Sequence, residues 1–117
     1  MRILLVDDND DGRLLAGMEL KKSGSDVIEA TNLDDALKAL DTGAFDLVLT
    51  DWMLTRNSTS EELVRESLQR GIKTVIYTAD RGCREIAASF DDKVEVLSKR
   101  NIDIWLNIRN LGKSVER

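Results

Sequence analysis

The chain has 117 residues, of which 42% are hydrophobic and 33% charged, and this is typical of a single soluble globular domain over residues 1–117. Its formal net charge of −5 disfavours direct nucleic-acid binding, because such affinity comes mainly from clustered Lys and Arg. The sequence contains no histidine and one cysteine, which excludes every His-dependent triad, general base or zinc site and any internal disulfide.

Strand and helix signals alternate along the chain. The strand signals are short apolar runs at residues 3–6, 26–30, 45–50, 74–77 and 94–97. The helix signals are apolar residues at helical spacing after each strand: Leu14, Leu15 and Met18; Leu33, Ala36, Leu37 and Leu40; Leu63, Val64 and Leu68; Ile86, Ala87 and Phe90; and Ile104, Trp105, Ile108 and Leu111. We expect these stripes to form the core. Thr59 with Glu62, or Ser58 with Glu61, predicts a capping box before the third helix.

Five βα units with short connections predict an α/β fold, in which helices cover both faces of a parallel sheet. The first, third and fourth strands are the most continuously apolar, so we expect them to be central. The second and fifth strands carry charges, which favours edge positions. The prediction is a flavodoxin-like (βα)5 three-layer sandwich with a five-stranded parallel sheet in the order 2-1-3-4-5.

Polar side chains follow the carboxyl ends of four predicted strands. They are Asp7 and Asp8 after the first strand, Asp51 after the third, Thr78 after the fourth and Lys99 after the fifth. Ligands of open parallel sheets bind at this edge, where the strand order reverses, so we expect these side chains to converge there.

Three carboxylates held close together repel one another, and a divalent cation relieves the repulsion. An all-oxygen set of ligands suits Mg²⁺, so the predicted cofactor is Mg²⁺. An ammonium and a hydroxyl on the other side would neutralise and hydrogen-bond a tetrahedral anion. Asp51 is then placed to accept a phosphoryl group as an aspartyl phosphate, with Lys99 and Thr78 beside it.

The segments VDDN, LTD, YTAD and VLSK occur in this order at the carboxyl ends of the first, third, fourth and fifth predicted strands. Together they resemble the receiver domain of bacterial two-component response regulators. The resemblance extends from Arg2 to about Leu111. It implies that Asp7 and Asp8 hold Mg²⁺ together with Asp51, the phosphoacceptor, and with the backbone carbonyl of Met53.

The resemblance also implies a set of groups that bind the phosphoryl group. Thr78 would bind it and shift on activation, and Lys99 would contact its oxygens. The backbone N–H groups of Trp52 and Ala79 would complete the pocket.

The implied function is that of a signalling domain in a phosphorelay, which changes conformation on phosphorylation. It would catalyse at most its own Mg²⁺-dependent phosphorylation and dephosphorylation. The donor would be a histidine kinase or phosphotransfer protein, and the output partner could bind through the fourth and fifth helices. We expect a cytoplasmic location, because the apolar runs are too short to span a bilayer and no signal sequence precedes the first strand. Val96 occupies the position where the family often has an aromatic switch residue, so the usual readout cannot operate in that form.

Three other interpretations stay open. Asp7, Asn9, Asp11 and Gly12 match part of an EF-hand calcium loop, but Met18 stands where the closing Glu is needed. A Mg²⁺-dependent phosphohydrolase would need an acid two residues after its nucleophile, a spacing that Asp8 and Asp10 provide. A receiver-like binding module could signal without phosphorylation. Asp10 and Asp11 are expected to act only as caps of the first helix.

Overall fold

The computed structural model describes residues 1–55, 58–79 and 82–98. The strands are β1 (Arg2–Val6), β2 (Asp26–Ala30), β3 (Leu47–Asp51), β4 (Met53–Thr55), β5 (Ser58–Thr59), β6 (Lys73–Thr78) and β7 (Glu95–Ser98). The helices are α1 (Asp10–Lys22), α2 (Leu33–Thr42), α3 (Glu61–Gln69) and α4 (Cys83–Ala88). The predicted last helix and Lys99 lie outside the described residues.

Five of these strands form one parallel sheet in the order β2-β1-β3-β6-β7. Strands β6 and β7 correspond to the fourth and fifth predicted strands, because β4 and β5 pair in a separate sheet. The observed order is therefore the predicted order 2-1-3-4-5, and the charged strands β2 and β7 lie at its edges as expected. The flavodoxin-like prediction is therefore confirmed. The register pairs Val6 with Thr50 and Asp51 with Tyr77, so the carboxyl ends of the three central strands lie level with one another.

Helices pack on both faces of the sheet. On one face, α1 covers the strands through Ala16 and Leu20. On the other face, α2, α3 and α4 cover them, with Ala36, Leu63 and Ile86 among the buried residues. None of the helices in the described part of the chain combines the length and the apolar character that crossing a membrane requires.

The expectation that the apolar stripe of the first helix is buried is wrong. Leu14, Leu15 and Met18 are 59%, 51% and 47% exposed. The buried face of α1 consists instead of Ala16, Gly17 and Leu20. Gly17 brings the helix close to the sheet, because a Cβ there would lie 3.7 Å from Leu5 Cδ2. The helix thus packs through Ala16, Gly17 and Leu20, whereas Leu14, Leu15 and Met18 face outward.

The helix starts also differ from the sequence prediction. Asn9, not Asp10 or Asp11, caps α1, and its side chain accepts a hydrogen bond from the Gly12 N–H at 2.8 Å. The predicted capping box before α3 does not form, because α3 begins after Ser60, whose side chain makes no capping hydrogen bond. Strands β4 and β5, between β3 and α3, pair antiparallel, and this element was not predicted from the sequence.

Candidate functional site

Three acids meet at the carboxyl edge of the central strands. Asp7 directly follows β1, Asp51 is the last residue of β3, and Asp8 lies in the turn before α1. One carboxylate oxygen from each of them can be chosen so that all three lie within 4.8 Å of one another. Asp7 and Asp51 are only 1% and 7% exposed, whereas Asp8 is exposed. The predicted convergence of these acids is present in the structure.

The carboxylate of Asp7 accepts hydrogen bonds on both of its oxygens. Oδ1 accepts the backbone N–H of Asn9 at 2.9 Å, and Oδ2 accepts the hydroxyl of Tyr77 at 2.8 Å. The Arg13 guanidinium donates to the backbone carbonyl of Asp7 at 2.9 Å, which ties α1 to the end of β1. Gly12 approaches so closely that a Cβ there would lie 3.1 Å from Oδ2. Asp7 is therefore fixed by contacts from α1, its own turn and β6.

Tyr77 lies on β6 and its side chain is almost fully buried. Burial raises the pKa of the Tyr77 phenol far above its ordinary value, and the negative charge of Asp7 raises it further. The phenol is therefore protonated at neutral pH and acts as a hydrogen-bond donor to the Asp7 carboxylate.

The backbone after Asp51 turns back towards its carboxylate. The Met53 N–H donates to Asp51 Oδ1 at 3.3 Å. The Trp52 N–H instead donates to the carbonyl of Tyr77 at 3.1 Å, so its predicted role as a phosphoryl donor requires that this bond be given up. The Trp52 ring packs edge-on against Phe90, with the ring centroids 6.0 Å apart.

Two further predicted site residues, Thr78 and Ala79, lie at the carboxyl end of β6. Thr78 ends β6, is almost fully buried and pairs in register with Ser98. Ala79 follows it and is exposed. Val96 is half-buried against the cluster around Ile76, Ile86 and Phe90, so an aliphatic side chain fills this position. The predicted role of Lys99 falls outside the described residues.

The calcium-loop interpretation does not fit this geometry. Helix α1 begins at Asp10, where an EF-hand needs an extended twelve-residue loop. The Asn9 side chain caps that helix, and Asp10 forms an ion pair with Arg13 at 2.7 Å. An all-oxygen cluster of Asp7, Asp8 and Asp51 matches the ligands that Mg²⁺ prefers, so the residues fit a divalent cation.

Sequence reasoning missed two residues that shape the site. Tyr77 carries a hydroxyl at the end of the apolar run of a central strand, and its position directly before a predicted site residue was the available signal. Gly12 is a glycine in the first turn of a helix, where a closely packed neighbour is a reason for the absence of a side chain.

Comparisons with known proteins agree with this geometry. The family described as the response regulator receiver domain matches residues 3–101. The phosphate regulon transcriptional regulatory protein PhoB of Escherichia coli is 37% identical over 81 residues, which are 67% of this chain and 35% of PhoB. The chain thus spans about a third of the length of the curated relatives it matches.

Two solved structures show the same fold. The response regulator TrrA of Thermotoga maritima, determined in complex with Mg²⁺–BeF, has 26% identity and a TM-score of 0.76, and the match covers 98% of this chain and 96% of that one. A CheY-like receiver domain protein of Methanospirillum hungatei has 22% identity and a TM-score of 0.79, with 98% and 95% covered. The chain belongs to the family of response regulator receiver domains, which act in two-component systems.

Proposed function

We propose that residues 1–117 form one receiver domain in which Asp51 accepts a phosphoryl group, with Mg²⁺ held by Asp7, Asp8 and Asp51. The observation that carries this proposal is the meeting of three carboxylate oxygens within 4.8 Å at the carboxyl edge of the central strands. Helix capping alone does not explain why acids from the ends of two separate strands lie so close together. The similar protein TrrA forms a complex with Mg²⁺–BeF, which supports the same kind of site here.

In the proposed reaction, a carboxylate oxygen of Asp51 attacks the phosphorus of a phosphohistidine. An O–P bond forms, the P–N bond breaks, and the imidazole leaves with the bonding electrons and takes a proton from water. When bound, the divalent cation would supply charge neutralisation between the carboxylates and the phosphoryl oxygens. Asp7 and Asp8 would hold this cation together with the backbone carbonyl of Met53.

Backbone and side-chain donors would bind the transferred group. The Met53 N–H donates to Asp51 Oδ1 at 3.3 Å, so a backbone donor already contacts the proposed acceptor carboxylate. Thr78 would donate its hydroxyl, Lys99 its ammonium and Ala79 its backbone N–H. Their positioning lowers the barrier because phosphoryl transfer depends mainly on orientation and charge.

The proposed donor is a histidine kinase or a phosphotransfer protein in the cytoplasm. The phosphohistidine must lie outside residues 1–117, because these residues include no histidine that could carry the phosphoryl group. Phosphorylation would shift a conformational equilibrium that an output partner reads, with the surface around the fourth and fifth helices as the proposed contact. Val96 replaces the aromatic switch residue, so the shift of Thr78 must be read through other contacts. The net charge of −5 disfavours nucleic acid as the direct partner of this domain.

The test is intact mass spectrometry after incubation with acetyl phosphate, with Mg²⁺ or with a chelator. We expect the mass of one added phosphoryl group with Mg²⁺, and no addition with the chelator or in Asp51→Asn. Asp34→Asn, the same change at an exposed acid of α2, is the matched control and should be modified like the wild type. Metal binding without any phosphoryl addition would instead favour a binding module, and release of inorganic phosphate from added phosphate esters would favour a hydrolase.

A further inference from the structure

The hydroxyl of Tyr77 reaches a proposed metal ligand across the sheet. It lies 2.8 Å from Asp7 Oδ2, although β6 and β1 are separated by β3 in the sheet. The ring packs in the buried cluster between α1 and the central strands, so the position of the hydroxyl is set by the core. A small movement of this ring would change the position of the Asp7 carboxylate directly.

Asp7 needs such a constraint because a carboxylate that binds a cation must hold its ligating oxygen in one orientation. Each carboxylate oxygen offers about two acceptor sites. The Asn9 N–H takes one on Oδ1 and the Tyr77 hydroxyl takes one on Oδ2. The backbone of Gly12 also lies close to Oδ2, since a Cβ at this position would be 3.1 Å from it. These contacts restrict rotation of the Asp7 carboxylate, one oxygen of which lies within 4.8 Å of an oxygen of Asp8 and of Asp51.

We propose that Tyr77 is a positioning residue, whose hydroxyl holds the Asp7 carboxylate in the orientation that binds the divalent cation. This inference rests on the proposed function, since it concerns the same site. It goes further by assigning a role to a residue outside the predicted set of ligands and phosphoryl-binding groups. Groups that orient metal ligands in this way typically change metal affinity about 10- to 100-fold when removed.

Tyr77→Phe removes the hydroxyl and keeps the ring. We expect its Mg²⁺ dissociation constant, measured by isothermal titration calorimetry, to rise about 10-fold or more relative to the wild type. If the hydroxyl had only a structural role, Tyr77→Phe would lower the free energy of unfolding in chelator and leave the Mg²⁺ affinity unchanged.

Thr74→Val is the matched control, because it removes a buried hydroxyl from the opposite end of the same strand. The Thr74 hydroxyl pairs with Ser67, away from the acids. This variant should lose stability in chelator but keep the wild-type Mg²⁺ affinity. Equal Mg²⁺ affinity in the wild type and Tyr77→Phe would overturn the role of Tyr77 and leave the proposed function standing. A wild type that binds no Mg²⁺ would overturn both.

A second measurement does not depend on the folding of a variant. Tyr77 is the single tyrosine of the chain, so biosynthetic incorporation of 3-fluorotyrosine labels this position alone. We expect Mg²⁺ to shift its ¹⁹F resonance in the folded protein, with saturation at the same concentration as in calorimetry. A resonance that does not move while Mg²⁺ binds would show that the hydroxyl and the metal ligand are not coupled.

Discussion

Replacing Gly12 with alanine should separate the stability of the fold from the function of its site. A Cβ at this position would lie 3.1 Å from Asp7 Oδ2 and 3.5 Å from Asn9 Oδ1. The first distance is shorter than an ordinary van der Waals contact, so the Asp7 carboxylate would have to move by a few tenths of an ångström. The hydrogen bonds from Asn9 and Tyr77 oppose this movement.

Gly17 of the same helix provides the control. A Cβ there would lie 3.7 Å from Leu5 Cδ2 and 3.8 Å from the Glu29 carboxylate, which are ordinary contacts. Alanine is favoured over glycine inside a helix by about 1 kcal/mol. Gly17→Ala should therefore raise the free energy of unfolding by about 1 kcal/mol and leave metal binding unchanged. Gly12→Ala should gain less stability, because crowding of Asp7 offsets part of the helix preference.

The two variants should differ most in Mg²⁺ affinity. We expect Gly12→Ala to bind Mg²⁺ about 10-fold more weakly than the wild type, since a displaced ligand costs as much as a lost orienting contact. Urea unfolding in chelator, followed by circular dichroism, gives the stabilities, and isothermal titration calorimetry gives the affinities. Wild-type affinity in Gly12→Ala would refute this reasoning, and so would an equal loss of affinity in Gly17→Ala.

Three further predictions concern single groups. The pKa of Tyr77 is raised in the folded protein, so its contribution to stability is complete below about pH 10 and is lost as the pH rises further, by about 1.4 kcal/mol per pH unit. In chelator, urea unfolding should show this slope in the wild type but not in Tyr77→Phe; equal slopes would contradict the prediction. Asn9→Ala should lower the free energy of unfolding by about 1 kcal/mol, and Asn9→Ser should recover most of it, because the capping acceptor for Gly12 N–H returns; equal urea midpoints for all three proteins would show that the cap contributes nothing. Thr74→Val should cost about 1 kcal/mol, and the double variant with Ser67→Ala should cost less than the sum of the two single changes, as a double-mutant cycle would measure. Strict additivity in that cycle would mean that the two hydroxyls do not interact.

The fold could be predicted from the sequence because its signals are local and repeated. Apolar runs alternate with helical spacing, and the charges of β2 and β7 mark the sheet edges. The carboxyl ends of parallel strands meet at one edge, so Asp7 and Asp51 could be brought together without coordinates. These predictions needed only the direction and order of the strands.

Other features depend on packing distances that a sequence does not state. The side of α1 that faces the sheet is set by the small residues Ala16 and Gly17, whereas periodicity counts only large apolar residues. The choice of Asn9 over Asp10 as the cap depends on where the first turn closes. The contact between Tyr77 and Asp7 joins residues 70 positions apart across an intervening strand, and no local pattern indicates it.

The most direct test of the central claim is to locate the phosphoryl group chemically. Borohydride reduces an aspartyl phosphate to homoserine, so the protein is treated with acetyl phosphate and Mg²⁺, reduced, digested and sequenced by mass spectrometry. We predict homoserine at position 51 only, and none when Mg²⁺ is chelated. Homoserine at Asp7 or Asp8, or at no position while the metal is bound, would contradict the assignment of Asp51 as the phosphoacceptor.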